Sequence, residues 1–309
     1  MRQPFHKDYF AMYSSVYGGT VTDPALMLVP VDDHMVHRGD GIFETLKCLN
    51  GSIYNMKGHL ERLEYSARLL HFELPTALDD ISSIVLETVR VGKQADCLVR
   101  ILVSRGPGSL DVNPYSCPKS QLYVITSRLK EPFMEKHPDG ARLGVSSVVA
   151  KRPFFAGVKS CNYLPNVLMK KEAVDIGVDF VAAFDERGFL AEGATENVGI
   201  VTKQKKLLFP KTGGILRGTT MIRVMELAKQ LVESGELTEV AFADISKEDV
   251  LNATEVLIAG TTPNVTTVKE YDGKMMKDGG MGPVFQKLSA FFLDDLLHNN
   301  DLHTPVFVS

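Results

Sequence analysis

Long apolar runs are missing from this chain. No stretch approaches the roughly 18 residues needed to span a bilayer, and the start, MRQPFHKDYF, has neither an apolar signal core nor a transit-peptide pattern. Cysteine is scarce. Cys48, Cys97, Cys117 and Cys161 are scattered, with no Cys-x-x-Cys pair and no disulfide-like framework. Together these absences predict a reduced, cytoplasmic protein. An excess of one charge is missing too: the net charge is −4, which gives no reason to expect nucleic acid or an anionic membrane as partner. His34 and His37 lie three apart, but no cysteine, histidine or carboxylate cluster completes a zinc site, so no metal is expected. No Gly-x-Gly-x-x-Gly follows a strand, which argues against a doubly wound parallel sheet. Internal repeats and low-complexity tracts are lacking as well.

What remains is an ordinary globular composition, 44% apolar and 23% charged, over 309 residues, a length that suggests about two domains. GIFETLKCLNGSIYNM (41–56) reads as two extended runs joined by Asn50-Gly51, a pair suited to a tight turn with positive φ. In MKGHLERLEYSARLLHF, Leu60, Leu63, Ala67 and Leu70 recur at helical spacing. ISSIVLETVRVG is a second helix, CLVRILVSRG a strand apolar on both faces except for Arg100, and QLYVIT a further strand. The polar stretch 127–140, with Pro132 and Pro138, is the expected linker between a smaller domain, 1–126, and a larger one, 141–309. Beyond it, VSSVVA is strand-like, DFVAAFDERGFLAEG is a hairpin, and NVGIVT and EVLIAG are strands. GTTMIRVMELAKQLVE is an amphipathic helix, GTTPNVTTV a loop, and GPVFQKLSAFFLDDLL a last helix after a hairpin at Asp272-Gly273. Hairpins mixed with helices predict an α/β protein of two domains with mixed sheets.

Lys159 stands in unusual company. It follows Ala156-Gly157-Val158 and precedes Ser160, Cys161, Asn162 and Tyr163. In a low-dielectric pocket a lysine can lose its proton and become a nucleophile or a base; otherwise it is a surface residue of a loop. RGTTM sets Thr219 and Thr220 at a helix N-terminus that favours phosphate, or Thr220 merely caps the helix. Thr261 and Thr262 follow a buried strand in AGTTPN. Glu192 in AEGATEN is a site carboxylate or a solvated turn residue. Arg62 in HLERL binds an anion or makes an exposed ion pair. Together these residues could serve one anionic, aromatic cofactor such as pyridoxal 5′-phosphate.

The order of HRGDGIFETL, HLERL, KSCNYL, AEGATEN, RGTT and AGTT over roughly residues 15–295 resembles the class IV (fold type IV) pyridoxal-phosphate aminotransferases. These include branched-chain aminotransferases, D-amino acid transaminases and aminodeoxychorismate lyases. The resemblance implies two α/β domains with the cofactor between them, in a homodimer whose partner completes each substrate pocket. It implies that Lys159 forms the internal aldimine and moves the proton, that Glu192 pairs with the pyridine nitrogen, and that Tyr163 bonds the ring oxygen. Arg62, Thr220, the backbone of Thr219 and Thr261 would hold the phosphate. Glu192 follows Lys159 by 33 residues, which fits the family's spacing.

The substrate is read less directly. An arginine in CLVRILV, with both faces apolar, would be buried and need an anionic partner, either Glu44 or a substrate carboxylate. Branched-chain aminotransferases carry an arginine at this place beside a tyrosine in the HRGDG region, where this chain has Arg38. Arg38 with Arg100 resembles an alternative carboxylate clamp of some atypical D-amino acid transaminases, with Arg38 reaching the neighbouring subunit. Leu110-Asp111-Val112 replaces the Arg-x-His pair of the common D-amino acid enzymes. Phe43, Val112, Thr261 and Thr262 complete the expected substrate surroundings. The resemblance therefore implies a transaminase of D-amino acid or branched-chain type using a 2-oxo acid. Aminodeoxychorismate lyase is the alternative, and a non-catalytic cofactor-binding relative a more remote one.

Overall fold

Strands of alternating burial set where each part of the chain turns its apolar side. The computed structural model describes residues 2–307, which divide into two compact units. Unit 1 holds the residues up to Lys130, Val158–Tyr163 and those from Asn299 onward; unit 2 holds Glu131–Gly157 and Leu164–His298. This differs from two continuous domains. The segment 158–163 belongs with unit 1 because it hydrogen-bonds along a strand there, and the end of the chain does so by adding an edge strand. Nor is 127–140 a free linker, since it contains the end of one strand and a short helix, Phe133–Lys136.

Unit 1 runs β1 (Tyr9–Ser14), β2 (Gly19–Val21), α1 (His34–Arg38), β3 (Gly41–Leu49), β4 (Ser52–Tyr54), α2 (Met56–Leu69), α3 (Leu78–Gly92), β5 (Cys97–Ser104) and β6 (Gln121–Arg128). Its seven-stranded sheet has the order β2-β1-β6-β5-β3-β4, with the C-terminal strand His303–Pro305 outside β4. Every pairing in it is antiparallel. Asn50 and Gly51 both take positive φ, 50° and 76°, as a type I′ hairpin turn demands. Asn55 caps α2 by accepting from the Gly58 N–H. One face of the sheet is closed: Ile42, Leu46 and Cys48 of β3 and Val99, Ile101 and Val103 of β5 form a core with Leu60, Leu63 and Ala67 of α2 and Ile81, Val85 and Val89 of α3. The opposite face carries Phe43 and Thr45 of β3 beside Leu98, Arg100 and Leu102 of β5, which are half-buried or exposed within the described chain.

Unit 2 begins with α4 (Phe133–Lys136), β7 (Ala141–Val145), α5 (Pro153–Ala156), α6 (Leu164–Asp175), β8 (Phe180–Phe184), β9 (Leu190–Gly193), β10 (Asn197–Val201) and β11 (Lys206–Pro210). It continues with α7 (Thr219–Leu227), α8 (Lys229–Glu233), β12 (Glu239–Ala243), α9 (Lys247–Asn252), β13 (Glu255–Gly260), β14 (Asn264–Tyr271), β15 (Lys274–Met275) and α10 (Pro283–His298). The sheet follows β12-β11-β10-β13-β14-β7-β8-β9, and a β9–β10 bridge closes six of these strands into a ring. Parallel pairs (β11–β12, β14–β7, β7–β8) mix with antiparallel ones. The mixed pairing of this α/β protein thus resides in unit 2.

Three local expectations shift. The strand expected over 145–150 lies at 141–145, because Ser146 and Ser147 turn to bond the Glu172 carboxylate of α6. The loop after β13 is only Thr261–Pro263, because Gly260 already pairs with Asn264. The helix from Thr219 stops at Leu227 before a separate short turn of helix. No helix among the described residues is long and apolar enough to cross a membrane, and no group of three or more His, Cys, Asp or Glu among them could hold a metal ion.

Candidate active site

In unit 1 the lysine segment lies against the open end of β3. The Phe43 N–H donates to the Lys159 carbonyl at 2.9 Å, the Cys161 N–H donates to the Gly41 carbonyl at 2.7 Å, and Ile42 bridges Ser160. Residues opposed across an antiparallel pair point to the same side, so Lys159 joins Phe43 on the uncovered face of the sheet. Lys159 Nζ stands 4.6 Å from the centre of the Phe43 ring. Tyr163 meets that ring edge-on at 5.2 Å, and the Arg100 guanidinium carbon lies 5.9 Å from its centre. Val158, the neighbour of Lys159, is buried in the core, and the Lys159 N–H donates to Ser66 Oγ of α2. This lysine is half-buried and fixed at both flanks, not a loop residue at the surface. Burial pushes the nearby Cys161 thiol up to about 12, so it stays protonated and is no competing nucleophile.

The covered face of the same strand carries a charge cluster. Arg62 Nε and Nη2 donate to Glu44 Oε1 and Oε2, each at 2.7 Å, and His59 Nδ1 lies 2.7 Å from Oε2. Glu44 is fully buried, and the Arg62 side chain is only 10% exposed. Arg62 therefore does not make an exposed ion pair. Burial alone would raise the Glu44 pKa, but the Arg62 charge and the bonds from Arg62 and His59 outweigh it and hold the group at about 2. Burial lowers the His59 pKa against the pull of Glu44, which keeps the ring neutral.

Arg100 overturns its sequence expectation. It is exposed, not buried, and Glu44 is not its partner. The cause is strand parity: Arg100 pairs with Thr45, so it shares the side of Phe43, whereas Glu44 points into the core with Ile42 and Leu46. Arg38 ends α1 and donates to three backbone carbonyls: His37, Leu110 at 2.6 Å and Asp111 at 3.0 Å. It thereby latches the loop that presents Val112, which is 77% exposed.

Unit 2 assembles the other candidates at one end of its sheet. Glu192 of β9 pairs with Asn197 of β10, and Asn197 pairs in turn with Ala259 of β13, just before Thr261 and Thr262. Both polar side chains grip one residue: Glu192 Oε2 accepts from the Leu216 N–H at 2.9 Å, and Asn197 Nδ2 donates to the Leu216 carbonyl at 3.0 Å. Two residues later Gly218 opens α7 with no side-chain cap, so the start of the helix at Thr219 and Thr220 is set relative to Glu192. A Cβ at position 218 would overlap Asn197 Oδ1, which explains the glycine. Glu192 also lines a small cavity with Lys151 and Asn166. Burial lowers the Lys151 pKa and the Glu192 charge opposes that shift. Glu196 is buried, raised by that burial, and spends its carboxylate on Thr195. Lys151, Asn197, Glu44 and His59 went unread in the sequence as parts of a site. Alternation in GIFETL and the i, i+3 spacing in HLER are the signals that could have found the last two.

The family described as Amino-transferase class IV matches residues 41–271. The chain is similar to the D-amino-acid transaminase, chloroplastic, of Arabidopsis thaliana, with 38% identity over 291 residues, 94% of this chain and 77% of that protein. It is 33% identical to a putative branched-chain-amino-acid aminotransferase of Methanocaldococcus jannaschii over 279 residues, 89% of this chain and 94% of that one. Among solved structures, the branched-chain amino acid aminotransferase of T.th. with pyridoxamine 5′-phosphate matches at a TM-score of 0.88 and 27% identity, covering 97% of this chain and 99% of that one.

Proposed function

We propose, from the premise that the chain belongs to the class IV aminotransferase family, that it moves an amino group between a D-amino acid or branched-chain amino acid and a 2-oxo acid, using pyridoxal 5′-phosphate. Each unit by itself offers groups of the kind that cofactor takes. Unit 1 offers a primary amine beside an aromatic ring and a guanidinium of fixed orientation; unit 2 offers a carboxylate tied to an uncapped helix start. When bound, the cofactor supplies a carbonyl that condenses with amines and a ring that takes up electrons from a substrate Cα.

Lys159 Nζ would be the amine that holds the cofactor and the group that moves a proton to and from the substrate Cα. The single observation that carries this reading is the pairing of 159–161 with β3, which holds that amine 4.6 Å from the Phe43 ring. Glu192 would accept a hydrogen bond from the ring nitrogen of the cofactor, and its charge already opposes the lowering of the neighbouring Lys151 pKa by burial. Tyr163 would donate a hydrogen bond to the ring oxygen. Arg62 in unit 1, and in unit 2 the Thr219 N–H, Thr220 and Thr261 at the start of α7 and the turn after β13, would be the groups that take the phosphate. Arg100, exposed on the Phe43 side of β5, binds the substrate carboxylate, with Phe43, Thr261, Thr262 and Val112 around the rest of the substrate. Arg38 acts through the loop it latches. The active form is a homodimer; the exposed apolar residues Leu28, Val31 and Val112 of unit 1 support a paired surface.

The test is spectroscopic. Purified holoenzyme should absorb in the visible, and amino donors should bleach that band while 2-oxo acids restore it. A panel of D- and L-amino acids ranked by bleaching rate gives donor class and handedness. If no amino acid bleaches the band, yet pyruvate leaves aminodeoxychorismate without a 2-oxo acid, the transaminase reading fails.

A further inference from the structure

Arginine is a long, flexible side chain, and an anion site built on one alone loses affinity to the entropy of fixing it. Arg62 is not left in that condition. Its Nε and Nη2 atoms form one edge of the guanidinium fork, and Glu44 takes both at 2.7 Å, which fixes the plane of the group. His59, one turn earlier on α2, approaches Glu44 Oε2 at 2.7 Å. An ionised carboxylate only accepts, so Nδ1 carries the hydrogen and donates it. All three side chains are nearly or wholly removed from solvent: Glu44 at 0%, His59 at 4% and Arg62 at 10% exposure. The neutral ring adds a bond without adding a charge.

We infer that Glu44 and His59 are positioning residues that preset the Arg62 guanidinium for a phosphate. This rests on the reading of pyridoxal 5′-phosphate as cofactor, and it assigns the phosphate end of that binding to a triad spanning β3 and α2. His59 stops Glu44 from rotating; Glu44 stops Arg62 from rotating.

A merely structural ion pair and a positioning device differ in which ligand notices their loss. The measurement is the dissociation constant of the holoenzyme-forming protein for pyridoxal 5′-phosphate and for pyridoxal, which lacks the phosphate, both followed by the visible band. Wild type should prefer the phosphorylated form strongly; no preference would refute the cofactor reading itself. Glu44→Gln should lose about tenfold or more of its affinity for the phosphorylated form, the worth of one misdirected charge-assisted bond, with pyridoxal affinity unchanged. Equal weakening for both ligands, or for neither, overturns the inference. So does a tighter grip on the phosphate in Glu44→Gln, because the freed positive charge would then matter more than its orientation. If Glu44→Gln does not fold, the His59 pair decides. His59→Asn retains a donor near Nδ1 and should keep the preference for phosphate. His59→Leu should lose a measurable part of it. Identical preferences in these two variants would sink the inference.

Discussion

Replacing Glu44 by glutamine removes a charge while keeping the shape, and the consequence for stability can be worked from the site. The carboxyl is held at about 2 against an ordinary value of 4.5. At 1.36 kcal/mol per unit, that shift corresponds to about 3 kcal/mol of folding free energy, near the lower end of what breaking a buried pair costs. Because the folded value lies below the unfolded one, this contribution is fully present above pH ~4.5 and is lost as pH falls toward ~2. Urea denaturation of both proteins, followed by far-UV circular dichroism at several pH values, reads the effect. Glu44→Gln should be about 3 kcal/mol less stable at pH 7, and the gap should shrink by about 1.4 kcal/mol per unit below pH ~4.5. Equal stability at pH 7, or a gap that stays constant into acid, would refute the reasoning about this carboxylate.

Arg100→Leu should lower kcat/KM for amino and 2-oxo acids by about tenfold or more, through loss of a charge-assisted bond, while leaving cofactor affinity and thermal stability nearly unchanged. A stability loss with full activity would make Arg100 structural. Gly218→Ala forces a methyl group onto Asn197 Oδ1 and should cost roughly 1–3 kcal/mol and weaken phosphate binding. The double variant with Asn197→Ala should recover part of that stability in thermal melts, and no recovery would refute the clash. Titration with a thiol reagent should modify Cys117, which is half-buried, well before Cys48 and Cys97, which are buried; prior labelling of the latter pair in native protein would contradict the packing of β3 on β5.

What could be read from the sequence was mostly local. Asn50-Gly51 needs only its own backbone preference to make the β3–β4 turn, and the Leu60, Leu63, Ala67 spacing needs only the helical period. Lys159 drew notice for its uncharged neighbours, but no local rule returns 158–163 to unit 1, since that depends on pairing with a strand more than a hundred residues earlier. Arg100 misled because CLVRILV is apolar at every other position on both sides, and composition cannot say which side a sheet leaves uncovered. Glu44 was legible in principle: it sits between Ile42 and Leu46 at period two, which commits it to the core and obliges a partner. The grip of Glu192 and Asn197 on Leu216 joins segments about twenty residues apart through side chain to backbone bonds, and those leave no periodic trace.

The central claim is that one amine, Lys159 Nζ, carries the chemistry. Borohydride reduction of the holoenzyme followed by peptide mass mapping tests it most directly, because reduction fixes the cofactor to whichever amine holds it. A single pyridoxyl group on the peptide carrying Lys159, absent from the Lys159→Ala variant together with turnover, is the predicted result. Label on another lysine such as Lys151, or normal transamination by Lys159→Ala, would contradict the account.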